Sequence, residues 1–370
     1  MGINNLNKFL RDTSPDVFQE VHLSQYAFMR VAIDISLYLH KFKAVCGDRW
    51  LSAFINLIAS LRRNEVHCVF IFDGKAPPEK KAEQARRQAD REKLEKQVWV
   101  LEEALHTWQT TGVVSECLSD LYSRRRSPKR LLASKQSTMS MEWIEDKIQQ
   151  KKNQLYSISP VDFETAKELF TVLNVPFYTA PFEAEKTCAK LCIDGHVDAV
   201  LSEDTDVIAY GAPVFLSKID TNNDTCVRIS HPDLLEKLRL DSREFLDLCI
   251  MCGTDYNTNI PKIGSKTAYK HILEHRSIEK VADAGIDVTV LTHTRVRELF
   301  TQFEDTGIAS IPYCGRPDFA TLQEFVTKHN VQTRIDKLKD NFVREIQIAD
   351  SDSDVVIESE TDEELCETRE

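Results

Sequence analysis

Five short runs rich in β-branched and aromatic residues, Arg30–Ile35, Val66–Phe72, Pro176–Tyr178, Val197–Leu201 and Val214–Ser217, alternate with stretches of helical patterning. Parallel strands need long crossover connections, usually helices, so this alternation predicts an α/β fold. The expected architecture is a mostly parallel central sheet with helices on both faces. Val66–Phe72 is apolar apart from His67, as a strand covered on both faces must be.

Between Pro77 and Ser159 the strand pattern stops. Glu79–Val100 is almost continuous Lys, Arg, Glu, Gln and Ala, which are strong helix formers, so the segment reads as a helical excursion from the α/β core. Arg124–Lys152 holds nine Lys or Arg against Glu142, Glu145 and Asp146, a net of +6 that begins at Arg124, Arg125 and Arg126. After Asp255, Ile260–Glu274 reads as a tight turn around Gly264 between two helices, and helical pattern resumes over Thr294–Phe303 and Phe319–Phe342.

The net charge of −12 is at odds with phosphate binding until its distribution is considered. Residues 350–370 hold ten Asp or Glu against Arg369, a net of −9, which leaves −3 for the first 349 residues. Low apolar content and this acidic run argue for a disordered tail beyond Ile348. No run of about 18 apolar residues occurs, and the polar start Asn4, Asn5, Asn7, Lys8 does not read as a signal peptide, so a soluble intracellular protein is expected, with no membrane partner. The ten cysteines show no small-domain disulfide framework. Cys249 and Cys252 have zinc-ligand spacing but no second pair, and read as helix packing residues.

The acids carry the chemistry. Asp34 closes one strand run, Asp73 follows the next, and Asp204 and Asp206 follow the run that ends at Leu201. Ligands of open parallel sheets bind beyond the carboxyl ends of strands, so three strands deliver acids to one edge. Glu183 and Glu185 sit in the expected first turn of a helix after Pro181, and Asp255 at another helix end. Each alone suits a strand end or an N-cap. Seven together repel one another unless cations compensate, and hard divalent ions bound through oxygen, such as Mg²⁺ or Mn²⁺, do so. Two such ions about 4 Å apart suit phosphodiester hydrolysis. Glu183 and Glu185 are two residues apart and do not share a helix face, so they are not expected to be equivalent ligands.

In order, Met1-Gly2-Ile3, Ala32-Ile33-Asp34, Phe72-Asp73-Gly74-Lys75, Ala180-Pro181-Phe182-Glu183-Ala184-Glu185, Ser202-Glu203-Asp204-Thr205-Asp206 and Gly253-Thr254-Asp255-Tyr256 resemble the motifs of the flap endonuclease/XPG nucleases. The resemblance covers roughly residues 1–98 and 158–345. It implies a PIN-like nuclease core, a helical arch, and a two-metal 5′ nuclease acting on DNA flaps, gaps or junctions. Its metal cluster would be Asp34, Asp73, Glu183, Glu185, Asp204, Asp206 and Asp255, two Mg²⁺ (or Mn²⁺) being the cofactor. The family's phosphate-contacting Lys and Arg match Lys80 and Arg87, seven residues apart and so on one helix face. Gly2 in the opening motif, and Gly264 with Lys266 in the helix-turn-helix that grips duplex DNA and holds a monovalent cation, are implied DNA-binding positions. On these grounds residues 1–98 and 158–258 read as two nuclease motif regions, 99–157 as the arch insertion, 259–345 as the helix-turn-helix and C-terminal helices, and 346–370 as the acidic tail.

Three departures bear on substrate. Where the family usually has a glycine two residues before Gly264, this chain has Lys262, which with Lys266 and Lys270 can share the phosphate contact. Six residues after Asp34 stands His40, similar to the 5′ exonuclease branch, where flap endonucleases carry Tyr; a histidine also stacks on a base. The excursion is longer than the usual arch, and its run from Arg124 suits a phosphate-binding strip, a nuclear import signal or solvated charge. No sliding-clamp peptide follows Phe342. Instead Val355-Val356-Ile357 lies among acids, which resembles a SUMO-interacting motif or is a chance triplet in a solubilising tail. The alternative to an active nuclease is a junction-binding scaffold of the same fold that no longer cuts. A nuclear site of action, or the site of DNA replication of a large DNA virus, is expected.

Overall fold

The computed structural model describes residues 2–123, 140–336, 338–340 and 342. Arg124, Arg125, Arg126, Val355, Val356 and Ile357 lie outside the described residues.

The chain opens with α1 (Leu6–Thr13), β1 (Gln19–His22), β2 (Arg30–Asp34), α2 (Ile35–Cys46), α3 (Trp50–Arg63) and β3 (His67–Phe72). The excursion follows as α4 (Lys81–Thr111), α5 (Glu116–Ser123) and α6 (Met141–Asn153). The core resumes with α7 (Pro160–Val172), β4 (Phe177–Thr179), α8 (Ala184–Ile193), β5 (Ala199–Leu201), α9 (Asp206–Ala209), β6 (Val214–Asp220), β7 (Thr225–Ser230), α10 (His231–Leu238) and α11 (Ser242–Cys252). It closes with α12 (Ser265–His275), α13 (Ile278–Asp283), α14 (His293–Thr301) and α15 (Phe319–Lys328).

The seven strands form one sheet in the order β1-β7-β6-β5-β2-β3-β4. From β6 to β4 every pairing is parallel, and β7 and β1 add an antiparallel edge. The five expected strands are present. β1 and β7 were not anticipated: Gln19-Glu20-Val21-His22 and Thr225–Ser230 are too short and too polar to show alternation on their own.

Alternate residues of the central strands enter two cores. Ala32, Val69, Ile71 and Val200 face α1, α8 and α11, whereas Val31, Ile33, Phe70 and Leu201 face α2, α3 and α7. On the second face Phe54, Phe70 and Phe170 are fully buried, and Phe70 stacks on Phe170 at 4.1 Å between ring centres. Burying each ring contributes about 1.5–3 kcal/mol. This packing on both faces holds the strand ends rigidly in line.

The excursion has its own small core. Val98, Leu101 and Ala104 of α4 pack with Leu118 of α5 and with Ile144 and Ile148 of α6. At its base, Arg91 of α4 donates to the carbonyl of Leu155, two residues beyond the end of α6.

Two expectations need correction. Ile260–Glu274 is not a tight turn between two helices: α11 ends at Cys252, and residues 253–264 form a long connection before α12 begins at Ser265. Pro261 and the left-handed backbone of Lys262 (φ 66°) keep residues 260–263 out of helix. The helical run expected over Phe319–Phe342 breaks after Lys328, where Asn330 takes φ 50°. Cys249 and Cys252 are buried in the first core as packing residues of α11.

Candidate metal centre

The strand order reverses at β2, which has β3 on one side and β5 on the other. Ligands of doubly wound sheets bind at such a switch point. Asp34 ends β2, Asp73 follows β3, and Asp204 and Asp206 follow β5, so four acids reach one edge from three adjacent strands. Glu183 is the N-cap residue of α8 and Glu185 lies in its first turn. Asp255 lies three residues beyond the end of α11.

Several of these acids also serve the local fold. Asp34 caps α2, its Oδ1 accepting from the amides of Ser36 (2.8 Å) and Leu37 (3.4 Å). Asp73 accepts from the Ala184 amide (2.8 Å) and from the Ser36 hydroxyl (2.5 Å), which ties β3, α2 and α8 together. Oδ1 of Asp204 accepts from the amide of Asp206 at 2.9 Å. The capping role expected of single acids is therefore real, and it coexists with their convergence.

A cavity of about 230 Å³ is lined by Asp34, Asp73, Glu183, Glu185, Asp204 and Asp255, together with His40, Lys80 and Arg87. It opens to a larger cleft of about 1080 Å³, bounded by Gly2, His40, the α4 base around Arg87, Tyr156 and the connection Thr254–Asn259. Asp206 lies beneath the inner cavity, 1% exposed, and neither of its carboxylate oxygens has a hydrogen-bond partner. Gly2 packs so closely on this motif that a Cβ there would stand 2.7 Å from Oγ1 of Thr205 and closer still to Asp204. Only glycine fits.

Burial, opposed or helped by neighbouring charges, makes four of them, Asp34, Glu185, Asp204 and Asp206, hard to ionise. Burial first, then Asp73 and Glu185, hold Asp34 well above the usual carboxylate range. Burial and then Asp204 and Asp255 do the same to Asp206. Glu185 is pushed up to about 8 by burial, against the pull of Lys80 and with the push of Glu183.

Lys80 lies where the acids converge. Its ammonium pairs with Glu183 and reaches Glu185 at 3.2 Å and Asp255 at 3.4 Å. Arg87 donates to Asp255 at 2.7 Å and to Glu83 at 2.8 Å, and its side chain is half exposed at the cavity mouth. The adjacent Arg86 is exposed and pairs along the helix with Glu83.

Two tyrosines that sequence reasoning passed over complete the site. Tyr256 donates to Glu183, and its hydroxyl lies 2.7 Å from that of Tyr210. Phe300 of α14 packs against both rings. Tyr256 stood within the quoted Gly-Thr-Asp-Tyr motif, whereas nothing local marked Tyr210. Lys262, Gly264 and Lys266 are brought together at the start of α12 but line neither cavity, and Lys266 pairs with Asp12 at 3.0 Å.

Among the described residues no three Asp, Glu, His or Cys side chains stand in ligating geometry as they are. The donors nonetheless fit a hard divalent cation. They are all oxygen, six of them line one cavity, and Asp206 beneath it presents two oxygens that no protein donor satisfies.

Comparison with known proteins decides the family. Residues 1–94 match the XPG N-terminal domain and residues 174–255 the XPG I-region. A protein described as a RAD2-like endonuclease of Invertebrate iridescent virus 3 is 32% identical over 328 residues, covering 81% of this chain and 85% of the relative. The chain belongs to the flap endonuclease/XPG family of structure-specific nucleases. Flap endonuclease 1 of Zea mays is 30% identical over 301 residues, with 76% of this chain and 69% of the relative covered. The fold is similar to the catalytic core of Rad2 solved in complex with DNA substrate, with a TM-score of 0.64 at 17% identity over 93% of this chain and 99% of that one. The mixed α/β sheet, the inserted helices and the acidic strand ends thus belong to a PIN-like nuclease fold.

Proposed function

We propose that this protein is a Mg²⁺-dependent DNA nuclease that hydrolyses phosphodiesters at 5′ flaps, gaps or junctions in replication, repair or recombination. One observation carries the reading: seven carboxylates from separate segments of the chain gather at a sheet switch point, with Lys80 and Arg87 among them. Asp34, Asp73, Glu183, Glu185, Asp204, Asp206 and Asp255 would hold two Mg²⁺, with Mn²⁺ able to substitute. When bound, such ions supply a polarised water as nucleophile and neutralise charge on the phosphate and the leaving oxygen.

The rest of the chemistry falls to the chain itself. Arg87, half exposed at the mouth, would hold a phosphate oxygen by a charge-assisted bond, and Lys80, once freed from its carboxylates, would hold another. His40 borders both cavities, where a ring can stack on the base beside the cut. Ser36, Tyr210 and Tyr256 orient the carboxylates of Asp73 and Glu183. Gly2 and the exposed Lys262, Gly264 and Lys266 are read as duplex contacts, with a monovalent cation at that connection. In this reading residues 1–98 and 158–258 make the nuclease core, 99–157 the arch and 259–345 the duplex-gripping part. Viral and plant relatives support a site of action in the nucleus or at viral DNA replication.

The test is a panel of single-stranded, flap, gapped, nicked, bubble and four-way-junction DNAs, incubated with purified protein in Mg²⁺ and in EDTA. Cutting of one structured DNA in Mg²⁺ and silence in EDTA is the expected result, and Asp204→Asn should lower the rate on the order of 10³-fold. Tight junction binding without turnover in either Mg²⁺ or Mn²⁺ would favour a non-cutting scaffold instead.

A further inference from the structure

We infer that Lys80 is a built-in counter-cation of the acid cluster, occupying the position divalent ions need, so that its displacement couples metal loading to phosphate binding. This rests on the metal-dependent reading above and adds a regulatory step to it.

The ammonium is held by three carboxylates, those of Glu183, Glu185 and Asp255, and the side chain is 12% exposed. An ammonium has three donors, and these three acceptors can satisfy all of them. The Tyr256 ring lies 5.6 Å away on one side. Glu183 and Glu185 come from α8, Asp255 from the connection after α11, and Lys80 from the last residue of the short 3₁₀ turn Pro78–Lys80 at the base of α4. Lys80 therefore staples the excursion to the acids of the sheet edge.

A divalent cation bound to the same oxygens would stand within a few ångströms of the ammonium, and like charges in a buried pocket repel strongly. The two cannot share the site. Arg87 conflicts less, because it meets only one of these acids, Asp255, and is also held by Glu83, with its side chain half exposed at the cavity mouth. Lys80, by contrast, has a four-carbon stem, and its ammonium can swing towards the cavity mouth without movement of the helix. There a DNA phosphate would replace the carboxylates it leaves.

Metal and phosphate are then reciprocal. Metal expels Lys80 towards the phosphate, and phosphate removes Lys80 from the metal's path; each tightens the other by the same factor. Without DNA, Lys80 holds metal affinity down.

The test is Mn²⁺ binding to EDTA-washed, full-length protein, read as free Mn²⁺ by electron paramagnetic resonance. The titrations compare wild type with Lys80→Met, Lys80→Gln and Lys80→Arg. Both neutral variants should bind Mn²⁺ about tenfold more tightly than wild type, equivalent to about 1.4 kcal/mol. Lys80→Arg should keep the weak binding. A flap duplex with phosphorothioate linkages at the cleavage site should tighten Mn²⁺ binding by wild type and leave the neutral variants unchanged. Lys80→Gln keeps a donor among the carboxylates and serves if Lys80→Met does not fold without metal, as checked by circular dichroism. Equal or weaker Mn²⁺ binding by the folded neutral variant would overturn the inference while leaving the metal-dependent reading intact. Absence of Mn²⁺ binding by all four proteins would overturn both.

Discussion

Arg87 and Lys80 meet the same oxygen: Oδ2 of Asp255 accepts from Arg87 Nη2 at 2.7 Å and lies 3.4 Å from Lys80 Nζ. Seven residues separate the two cations, about two helical turns, so the base of α4 presents both to one carboxylate that ends a different part of the chain. If Arg87 holds a phosphate oxygen during the reaction, Arg87→Ala should lower kcat on the order of 10²-fold, the scale of losing one donor to developing charge. Mn²⁺ binding should change little. A matching loss of metal affinity would assign Arg87 to the metal centre instead.

Asp206 gives a prediction with opposite signs for stability and activity. Its buried, unpartnered carboxylate is pushed above the ordinary range by burial and by its acidic neighbours, so ionising it works against the fold. In EDTA at pH 8, Asp206→Asn should raise stability by about 1–3 kcal/mol, seen in urea unfolding. Nuclease activity should fall sharply in the same variant. A destabilised Asp206→Asn protein would show that the carboxylate is satisfied after all.

The same physics sets a pH dependence. Glu185 is held at about 8, chiefly by burial, above its ordinary value, so the folded state retains this proton after the unfolded chain has lost it. Stability conferred by the proton is full below the unfolded value and declines as pH rises through the folded one. Metal-free protein should therefore lose up to about 1.4 kcal/mol per pH unit for this group between roughly pH 5 and 8. Lys80, held above its ordinary value by Glu185 and Glu183 despite burial, stays charged across that window and contributes no slope. Saturating Mg²⁺ should flatten the decline. Thermal melts across pH, with and without Mg²⁺, read both effects, and a Tm in EDTA that climbs with pH would contradict them.

Away from the cleft, Asp247 is fully buried and accepts two bonds from Arg297, at 2.9 and 2.7 Å, and one from the Ile278 amide at 3.2 Å. This joins α11 to α13 and α14. Arg297→Ala should cost about 3–5 kcal/mol because it strands a buried charge. Adding Asp247→Leu should recover part of that loss in urea melts, and equal instability of single and double variants would argue that the pair is not the cause.

Lys262 adopts φ 66°, a conformation that costs a side-chain-bearing residue about 1–2 kcal/mol. Lys262→Gly should leave stability unchanged or slightly raised. If Lys262 meets a phosphate, the salt dependence of DNA binding, plotted as log Kd against log salt, should lose about 0.9 of slope. An unchanged slope would remove Lys262 from the duplex contact.

Much of the site could be read along the chain because its acids are tied to local signals. Asp34 closes a strand and caps the helix after it, Asp73 follows an apolar run, and Glu183 opens a helix, so each sits where short-range patterning points. The parallel strands were equally visible, since Val66–Phe72 and Val197–Leu201 are apolar enough to declare themselves. β1 and β7 were not, because Gln19–His22 and Thr225–Ser230 are stabilised by pairing with each other and with β6. Tyr210 was invisible for the same reason. Its hydroxyl acquires a role only through Tyr256 and Glu183, which are distant in sequence.

By itself the sequence determined the α/β alternation, the placing of the acids at element ends and the family to which the ordered motifs belong. The first two depend on periodicity and local capping, which neighbouring residues decide, and the family on the resemblance of its ordered motifs. Only the tertiary structure decided that Asp206 lies beneath the cavity, with both oxygens unsatisfied, and that Lys80 points into the acids where a solvated helix charge would point away. Those are consequences of burial and of charges meeting across the fold, set by which strands pair and where α4 docks, and no stretch of chain contains them.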